Sequence, residues 1–247
     1  PMTLEGTNTW NLTEPGSRQS IVVDPGPLDE AHLQRVLAHV ESGGSRVALT
    51  LLTHRHDDHA QGADRFQKLT GAPVRAIGRG RDDLSDGDRL AVGGLEVLVV
   101  STPGHTGDSI SFVLPAEQTL LTGDTILGRG STVVAHPDGQ LSAYLESLEA
   151  LRRLTQSGQV TKLAPGHGPV LPDAEEAVER YIEHRAQRLG QVREAVELIR
   201  SNESRGPGSA SELADAVVQA VYAEVPRDLW PAARLSVLAQ LEYLSLT

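Results

Sequence analysis

The sequence predicts an α/β protein in two parts, a layered α/β domain followed by a smaller helical region. Over residues 1 to about 172, short apolar runs rich in Val, Leu and Ile are separated by turns rich in Gly, Pro and Asp, as expected of β-strands. Helical patterns lie between these runs, which is typical of layered α/β domains. From residue 173 onward only helical periodicity remains. We therefore predict domains at residues 1–172 and 173–247.

Seven apolar runs predict the strands of the first domain. In chain order they are TNTWNL, SIVVD, RVALTLL, LEVLVVS, SISFVL, QTLLT and QVTKLA. Three helices are predicted between them, at Leu28–Ser42, Ala60–Thr70 and Ser142–Thr155. The first of these helices is opened by Pro27, because proline favours the start of a helix.

The second domain begins with a long helical pattern for which Asp173 is a suitable N-cap. Apolar residues recur every three to four positions from Val178 to Ile199, which predicts packing against the first domain. Its arginines alternate with glutamates, so a solvated face is expected, and His184 is expected on it too. The arginines are Arg180, Arg185, Arg188 and Arg193. The runs SELADAVVQAVYAEV and PAARLSVLAQLEYL predict two further helices.

The composition excludes several kinds of site. The chain has no cysteine, which excludes disulfides, thiolate zinc sites and cysteine nucleophiles. Its net charge of −11 argues against a broad nucleic-acid footprint, although a divalent metal centre would supply positive charge for a polyanionic substrate. No apolar run approaches the roughly 20 residues of a membrane span, and no signal peptide precedes the first strand. We therefore expect a cytoplasmic protein with no membrane partner.

The stretch LTHRHDDHA carries the densest group of metal-binding side chains. His54, His56, Asp58 and His59 follow a strand that should be buried. Neutral imidazole and carboxylate are common ligands of divalent metals. Since Asp58 and His59 are adjacent, they should point in different directions, which indicates two neighbouring metal sites rather than one.

Three further candidate ligands lie in similar settings. Each follows an apolar strand and precedes a turn rich in Gly or Pro, so these loops should gather along one edge of a sheet. The residues are His105 in TPGHTG, Asp124 in LTGD and His167 in APGHG.

The ordered set HxHxDH, GH, GD and GHG resembles the metallo-β-lactamase fold superfamily. The resemblance implies an αββα sandwich, in which two sheets face each other, helices lie outside and metals bind at one edge. It also implies two zinc ions, with manganese or iron as alternatives. The implied ligands are His54, His56 and His105 for one ion, Asp58, His59 and His167 for the other, and Asp124 as the bridge.

Further stretches are similar to the β-lactamase-like protein two branch, which has a helical, winged-helix-like C-terminal region. They are GTNTW, GDTILGRGSTVV and LAPGHGPVLPDAEEAVERYIEHR. A member of that branch acts as a single-strand endoribonuclease, so the resemblance implies single-stranded RNA as substrate. The sequence stops at Leu246-Thr247, where a wing hairpin would follow, so we expect either that the wing is absent or that this sequence ends before it.

We therefore predict a dinuclear hydrolase that uses a metal-bridging hydroxide, with Asp58 orienting this hydroxide and then carrying its proton. One alternative is a small thioester or lactone hydrolase, similar to glyoxalase II or a β-lactamase. Residues 173–247 contain eight Arg, no Lys and thirteen Asp or Glu, which disfavours both a basic site for glutathione and tight RNA binding by this region. A second alternative is a metal-stabilised binding module. The oligomeric state is open, a homodimer included.

Residues near the predicted ligands are candidates for supporting roles. Arg129, Ser131 and Thr132 are candidates for binding a phosphate or carboxylate, with plain loop residues as the alternative. Thr106, Asp57 and Asp108 either support a ligand or are ordinary turn and surface residues. His32 and His39 are expected at or near the surface, and His136 is expected either there or at the border of the site.

Overall fold

The computed structural model describes residues 4–79, 83–202 and 209–245. Within these residues the strands are β1 (Trp10–Thr13), β2 (Gln19–Val23), β3 (Arg46–Leu51), β4 (Val74–Arg75), β5 (Arg89–Val92), β6 (Leu95–Ser101), β7 (Ile110–Leu114), β8 (Thr119–Gly123) and β9 (Lys162–Pro165). The α-helices are α1 (Glu30–Ser42), α2 (Asp57–Ala60), α3 (Ala63–Thr70), α4 (Leu141–Gln156), α5 (Ala174–Asn202), α6 (Ala210–Val221) and α7 (Trp230–Tyr243). A short 3₁₀-helix covers Arg227–Leu229.

The strands form two mixed sheets, in the orders β1-β2-β3-β4 and β5-β6-β7-β8-β9. In the first sheet β2, β3 and β4 are parallel and β1 is antiparallel. In the second sheet only β8 and β9 are parallel. All seven predicted strands are present. β4 and β5 were not predicted. β4 has only two residues. β5 is joined to β6 by a tight Gly93-Gly94 turn, in which both glycines have positive φ.

The two sheets pack face to face around an aliphatic core. Leu49 and Leu51 of the first sheet share this core with Phe112 and Leu121 of the second. The helices cover the outer faces, with α1 and α3 on the first sheet and α4 and α5 on the second. The predicted αββα sandwich is therefore confirmed.

The predicted helix Ala60–Thr70 is wrong in one respect, because two helices occupy this region. α2 ends at Ala60 and α3 begins at Ala63. Gln61 and Gly62 separate the two helices, and a Cβ at Gly62 would stand only 2.7 Å from the carbonyl oxygen of Pro27. α2 carries His59 into the site, while Phe66 of α3 packs on the sheet.

The long helix α5 joins the two parts of the protein. Its first half contributes Val178 and Tyr181 to the core of the α/β sandwich, while Val192 and Val196 pack with α6 and α7 in a separate core. Asp173 accepts a 2.9 Å hydrogen bond from the backbone N–H of Glu176, as expected of an N-cap. In the part of the chain that the structure describes, no helix has the length and apolarity to cross a membrane.

Candidate metal centre

The seven predicted ligands come together at one edge of the sandwich, at the carboxyl ends of four strands. β3 leads into the segment of His54, His56, Asp58 and His59, whose last two residues lie on α2. β6 leads to His105, β8 to Asp124 and β9 to His167. The strand ends are fixed by the sheets, which gives the convergent side chains a rigid support.

One group of nitrogen atoms is formed by His54, His56 and His105. The Nδ1 atom of His56 lies 3.1 Å from Nε2 of His54 and 3.0 Å from Nε2 of His105. Ligand nitrogens around a tetrahedral zinc ion are separated by about 3.3 Å, given Zn–N bonds of about 2.0–2.1 Å. These spacings are therefore close to those that a single ion requires.

A second group is formed by Asp58, His59 and His167. The Nε2 atoms of His59 and His167 lie 3.2 Å apart. The Oδ2 atom of Asp58 lies 3.2 Å from Nε2 of His167 and 3.5 Å from Nε2 of His59. Two nitrogens and one carboxylate oxygen thus converge on a second point.

Asp124 stands between the two groups. Its Oδ2 lies 3.3 Å from Nε2 of His167 and 3.7 Å from Nε2 of His105. Its Oδ1 is buried and, within the described structure, accepts no hydrogen bond, although Nε2 of His59 lies 3.5 Å away. A buried carboxylate oxygen of this kind is costly unless a cation or a donor pairs with it. This oxygen and the converging imidazoles therefore fit divalent metal ions. The assignment of each residue to one of two ions stays a prediction.

The opposite nitrogens of four imidazoles are held by the protein. His54 Nδ1 lies 3.0 Å from Thr53 Oγ1, and His59 Nδ1 lies 2.8 Å from Asp24 Oδ2. His105 Nδ1 donates to the carbonyl oxygen of Val133 at 2.7 Å, and His167 Nδ1 donates to that of Gly6 at 2.9 Å. In metal sites, such contacts orient the ring and leave the other nitrogen free for the metal.

Asp24 belongs to the surroundings of the centre, although the sequence did not predict it. It is almost fully buried, 1% exposed, and its carboxylate accepts bonds from the backbone N–H of Thr53 at 2.8 Å and from Thr53 Oγ1 at 2.7 Å. Its backbone has a positive φ of 51°, an unusual conformation that aspartate tolerates better than most residues. The available signal was its place at the end of a buried strand, before Pro25.

The cluster has a mixed charge balance. Burial and the neighbouring imidazoles hold the pKa of His54 well below its usual value. Burial also opposes charge on His167, but Asp124 and Asp58 outweigh it and raise the pKa of His167 to about 10. Despite burial, contacts with His167 and His59 lower the pKa of Asp58 and of Asp124. Carboxylates and protons thus compensate each other here, and metal binding would displace those protons.

The loop after Asp124 borders the centre, as predicted, but two of its candidate residues have other contacts. Thr132 is buried, and its hydroxyl donates to the carbonyl oxygen of Asp124 at 2.8 Å. Arg129 pairs with Glu5. Ser131 is exposed and lines a cavity of about 130 Å³ over the centre, together with Asp58 and His167. Of the three candidates, only Ser131 thus keeps a hydroxyl available at the mouth of the site.

The other candidates lie outside the centre. Thr106 bonds to Ser109 Oγ at 2.7 Å within its own turn. Asp108 lies 3.9 Å from Arg55, and Asp57 is exposed on α2. His136 lies 3.1 Å from Glu242 on α7. None of these contacts reaches a predicted ligand.

The two histidines of α1 behave differently. His39 is exposed, as expected, and His32 is half-buried. His32 packs near Gly26, and its Nε2 lies 3.2 Å from Thr9 Oγ1. His39 is thus a surface residue, and His32 belongs to the contacts around Gly26 and Thr9.

The expected solvated face of α5 is wrong at Arg185. This residue is only 6% exposed, its guanidinium donates to the carbonyl oxygen of Thr132 and it lies 4.8 Å from the ring centroid of Tyr144. Arg180, His184 and Arg188 follow at four-residue spacing on one face of α5 and line clefts beside Ser131. Arg188 and Arg180 therefore place positive charge near the mouth of the centre, although Arg180 also lies 3.8 Å from the carboxylate of Glu176.

Two known protein families match the chain. Residues 2–167 match the family described as the metallo-beta-lactamase superfamily. Residues 214–245 match the beta-lactamase associated winged helix domain. The first match contains all seven predicted ligands, and the second covers the end of the helical region.

Individual known proteins are also similar to most of the chain. The chain is 34% identical over 215 residues to a beta-lactamase-like protein 2 homolog of Caenorhabditis elegans, covering 82% of this chain and 68% of the relative. It is 33% identical over 231 residues to an atrochrysone carboxyl ACP thioesterase of Aspergillus chevalieri, covering 92% and 71%. A crystal structure of a metallo-beta-lactamase family protein from Thermus thermophilus matches with a TM-score of 0.74 and 22% identity, over 98% of this chain and 94% of that one.

Proposed function

The chain belongs to the metallo-β-lactamase superfamily, and from that premise we propose that this hydrolase cleaves phosphodiester bonds in single-stranded RNA with two zinc ions. The observation that carries the proposal is the position of Asp124, whose Oδ2 lies 3.3 Å from His167 of one ligand group and 3.7 Å from His105 of the other. A carboxylate shared by two ligand groups is suited to a dinuclear centre. When bound, two metal ions would lower the pKa of water and stabilise charge on the attacking and leaving oxygens of a phosphodiester.

The chain's own residues position the reactants. His54, His59, His105 and His167 are fixed through their second ring nitrogens, so the site is organised before substrate arrives. Asp58 lines the cavity over the centre, and its Oδ2 accepts a 2.9 Å hydrogen bond from Thr7 Oγ1. It is thus the carboxylate placed to orient the attacking water and to accept its proton.

RNA is supported by the surroundings of the centre and by the relatives. Arg180 and Arg188 lie on α5 beside Ser131 at the mouth, where their charge would attract a polyanion. The helical region that carries them matches a winged helix domain in its last part. The relative in Caenorhabditis elegans belongs to the same branch that the sequence motifs resemble.

A second candidate is hydrolysis of a thioester. It is favoured by the 33% identity to an ACP thioesterase, which extends over 92% of this chain. The metal chemistry would be equally suited to a thioester carbonyl. The two candidate functions therefore require the same metal-binding residues. They differ in which part of the substrate, a nucleotide or an acyl carrier, binds beside the metal centre.

The deciding experiment is to incubate zinc-loaded protein with end-labelled single-stranded RNA and to resolve the products on a sequencing gel. The double variant Asp58→Ala, His59→Ala serves as the inactive control, and Asp57→Ala, an exposed neighbour, serves as the matched active control. We expect internal cuts from the wild type and from Asp57→Ala only. Intact RNA with confirmed zinc content, together with thiol release from an acyl thioester, would replace the ribonuclease proposal with the thioesterase.

A further inference from the structure

A second cavity, of about 280 Å³, lies beside the metal centre. It is enclosed by the loop of Ser131, Thr132 and Val133 on one side and by α5 and the segment 222–236 on the other. The same three loop residues also line the cavity over the centre. A ligand extended from the metal centre across Ser131 would therefore enter this second cavity directly.

The cavity is positively charged in a strongly acidic protein. Arg185 and Arg188 both line it, and among the described lining residues none is acidic. His184 lies beside them, and burial, with the two nearby guanidiniums, lowers the pKa of its imidazole. The positive charge is therefore supplied by the two arginines. With a net charge of −11 for the chain, this concentration of cations without carboxylates indicates a site for an anion.

Two buried polar atoms of these residues have no partner. Within the described structure, neither Nε of Arg185 nor Nδ1 of His184 makes a hydrogen bond. Unpaired polar atoms at buried positions are costly, and a guanidinium offers a planar array of donors that matches a phosphate group. Both atoms lie below the surface of the cavity, so the wall that Arg185 and His184 form is polar and incompletely paired beneath that surface.

Arg188 is held at the edge of the cavity. Its guanidinium lies 4.6 Å from the ring centroid of Tyr222 and donates to the Gln191 side chain at 3.0 Å. Such contacts restrict a long side chain and reduce the entropy lost when it binds a ligand. The facing wall is apolar, formed by Val225, Leu229, Ala232 and Ala233. One wall is therefore suited to a phosphate and the other to a flat apolar group.

We infer that this cavity is a nucleotide subsite, in which Arg185 and Arg188 bind a phosphate group of the substrate while the apolar wall contacts its base. This inference rests on the proposed function, because the occupant is the nucleotide next to the one whose phosphodiester is cleaved at the metal centre. Arg188 acts here as a binding residue and takes no part in the chemical step.

The test is calorimetric titration of zinc-loaded protein with adenosine 3′,5′-bisphosphate, a nucleotide with two phosphates and no phosphodiester to cleave. We expect Arg188→Gln to weaken binding roughly tenfold, as for loss of a charged hydrogen bond, and Arg188→Lys to weaken it less. Arg193→Gln is the matched control, because Arg193 is exposed on the same helix and is not among the residues that line the cavity.

Equal bisphosphate affinity in wild type and Arg188→Gln would overturn the subsite, as would an equal loss of affinity in Arg188→Gln and Arg193→Gln. The outcome is separable from that of the RNA cleavage experiment. If RNA stays intact while Arg188→Gln loses the bisphosphate selectively, the proposed function fails and the phosphate subsite stands. If RNA is cut and the variant binds the bisphosphate normally, the subsite fails and the function stands.

Discussion

The Oδ2 atom of Asp24 lies 2.8 Å from Nδ1 of His59. The same oxygen accepts a 2.7 Å hydrogen bond from Thr53 Oγ1, which in turn lies 3.0 Å from Nδ1 of His54. One buried carboxylate at the end of β2 thus orients one histidine from each of the two ligand groups. The two groups are coupled through Asp24 as well as through Asp124.

We expect Asp24→Asn to weaken metal binding by about 10- to 100-fold, the range for loss of a group that orients a metal ligand. The amide cannot both accept from Thr53 and hold the ring of His59 as the carboxylate does. Competition with a chromophoric chelator would measure the affinity for zinc. Asp57→Asn is the control, since Asp57 is exposed and lies on α2 beside the ligands; equal affinities for the two variants would contradict the role of Asp24.

Removal of metal should lower the stability of the sandwich. The Oδ1 atom of Asp124 accepts no hydrogen bond, and a bound cation would pair with it and with the crowded imidazoles. At a free zinc concentration of 100 times Kd, the stabilisation would be about 2.7 kcal/mol. Thermal unfolding before and after treatment with a chelator, then after zinc is restored, measures this. A midpoint that does not change would show that the cluster holds no ion that stabilises the fold.

The convergence of the seven predicted ligands could be anticipated, because each of the four segments that carry them follows a strand and contains a short motif. The contacts that orient them were not, because Asp24 meets His59 across 35 positions of sequence and aspartate after a strand is also a common turn residue. Arg185 was misjudged for a related reason. Its neighbours on α5 are charged, so local patterning indicates solvent, whereas its burial depends on Thr132 and Tyr144, which come from distant parts of the chain.

Two glycines that flank His105 should differ sharply in their tolerance of alanine. At Gly104 the φ angle is 135° and a Cβ would stand 2.3 Å from the Cα of Tyr144 on α4. At Gly107 a Cβ would meet nothing within 4 Å. We expect Gly104→Ala to lower the free energy of unfolding by about 3 kcal/mol through overpacking and backbone strain and to displace His105.

Gly107→Ala should change the free energy of unfolding by less than about 0.5 kcal/mol, as at an unconstrained surface position. Urea unfolding of both variants, with the zinc affinity of each, makes the comparison. If the two variants were equally stable, the close approach of the His105 turn to α4 would not constrain the site.

The hydroxyl of Tyr181 links the helical region to the loop that carries Asp124. It accepts a 2.8 Å hydrogen bond from the backbone N–H of Leu127, three residues after Asp124. Burial raises the pKa of the Tyr181 phenol, so the hydroxyl is neutral near pH 7. Tyr181→Phe leaves this buried N–H unpaired, which costs about 1–3 kcal/mol. Because Leu127 also lines the cavity over the centre, we expect a loss of kcat as well as of stability.

Tyr243→Phe, at an exposed position on α7, is the control that separates loss of this bond from loss of a tyrosine. A Tyr181→Phe variant with reduced stability but unchanged kcat would mean that α5 supports the fold without positioning the loop of Asp124.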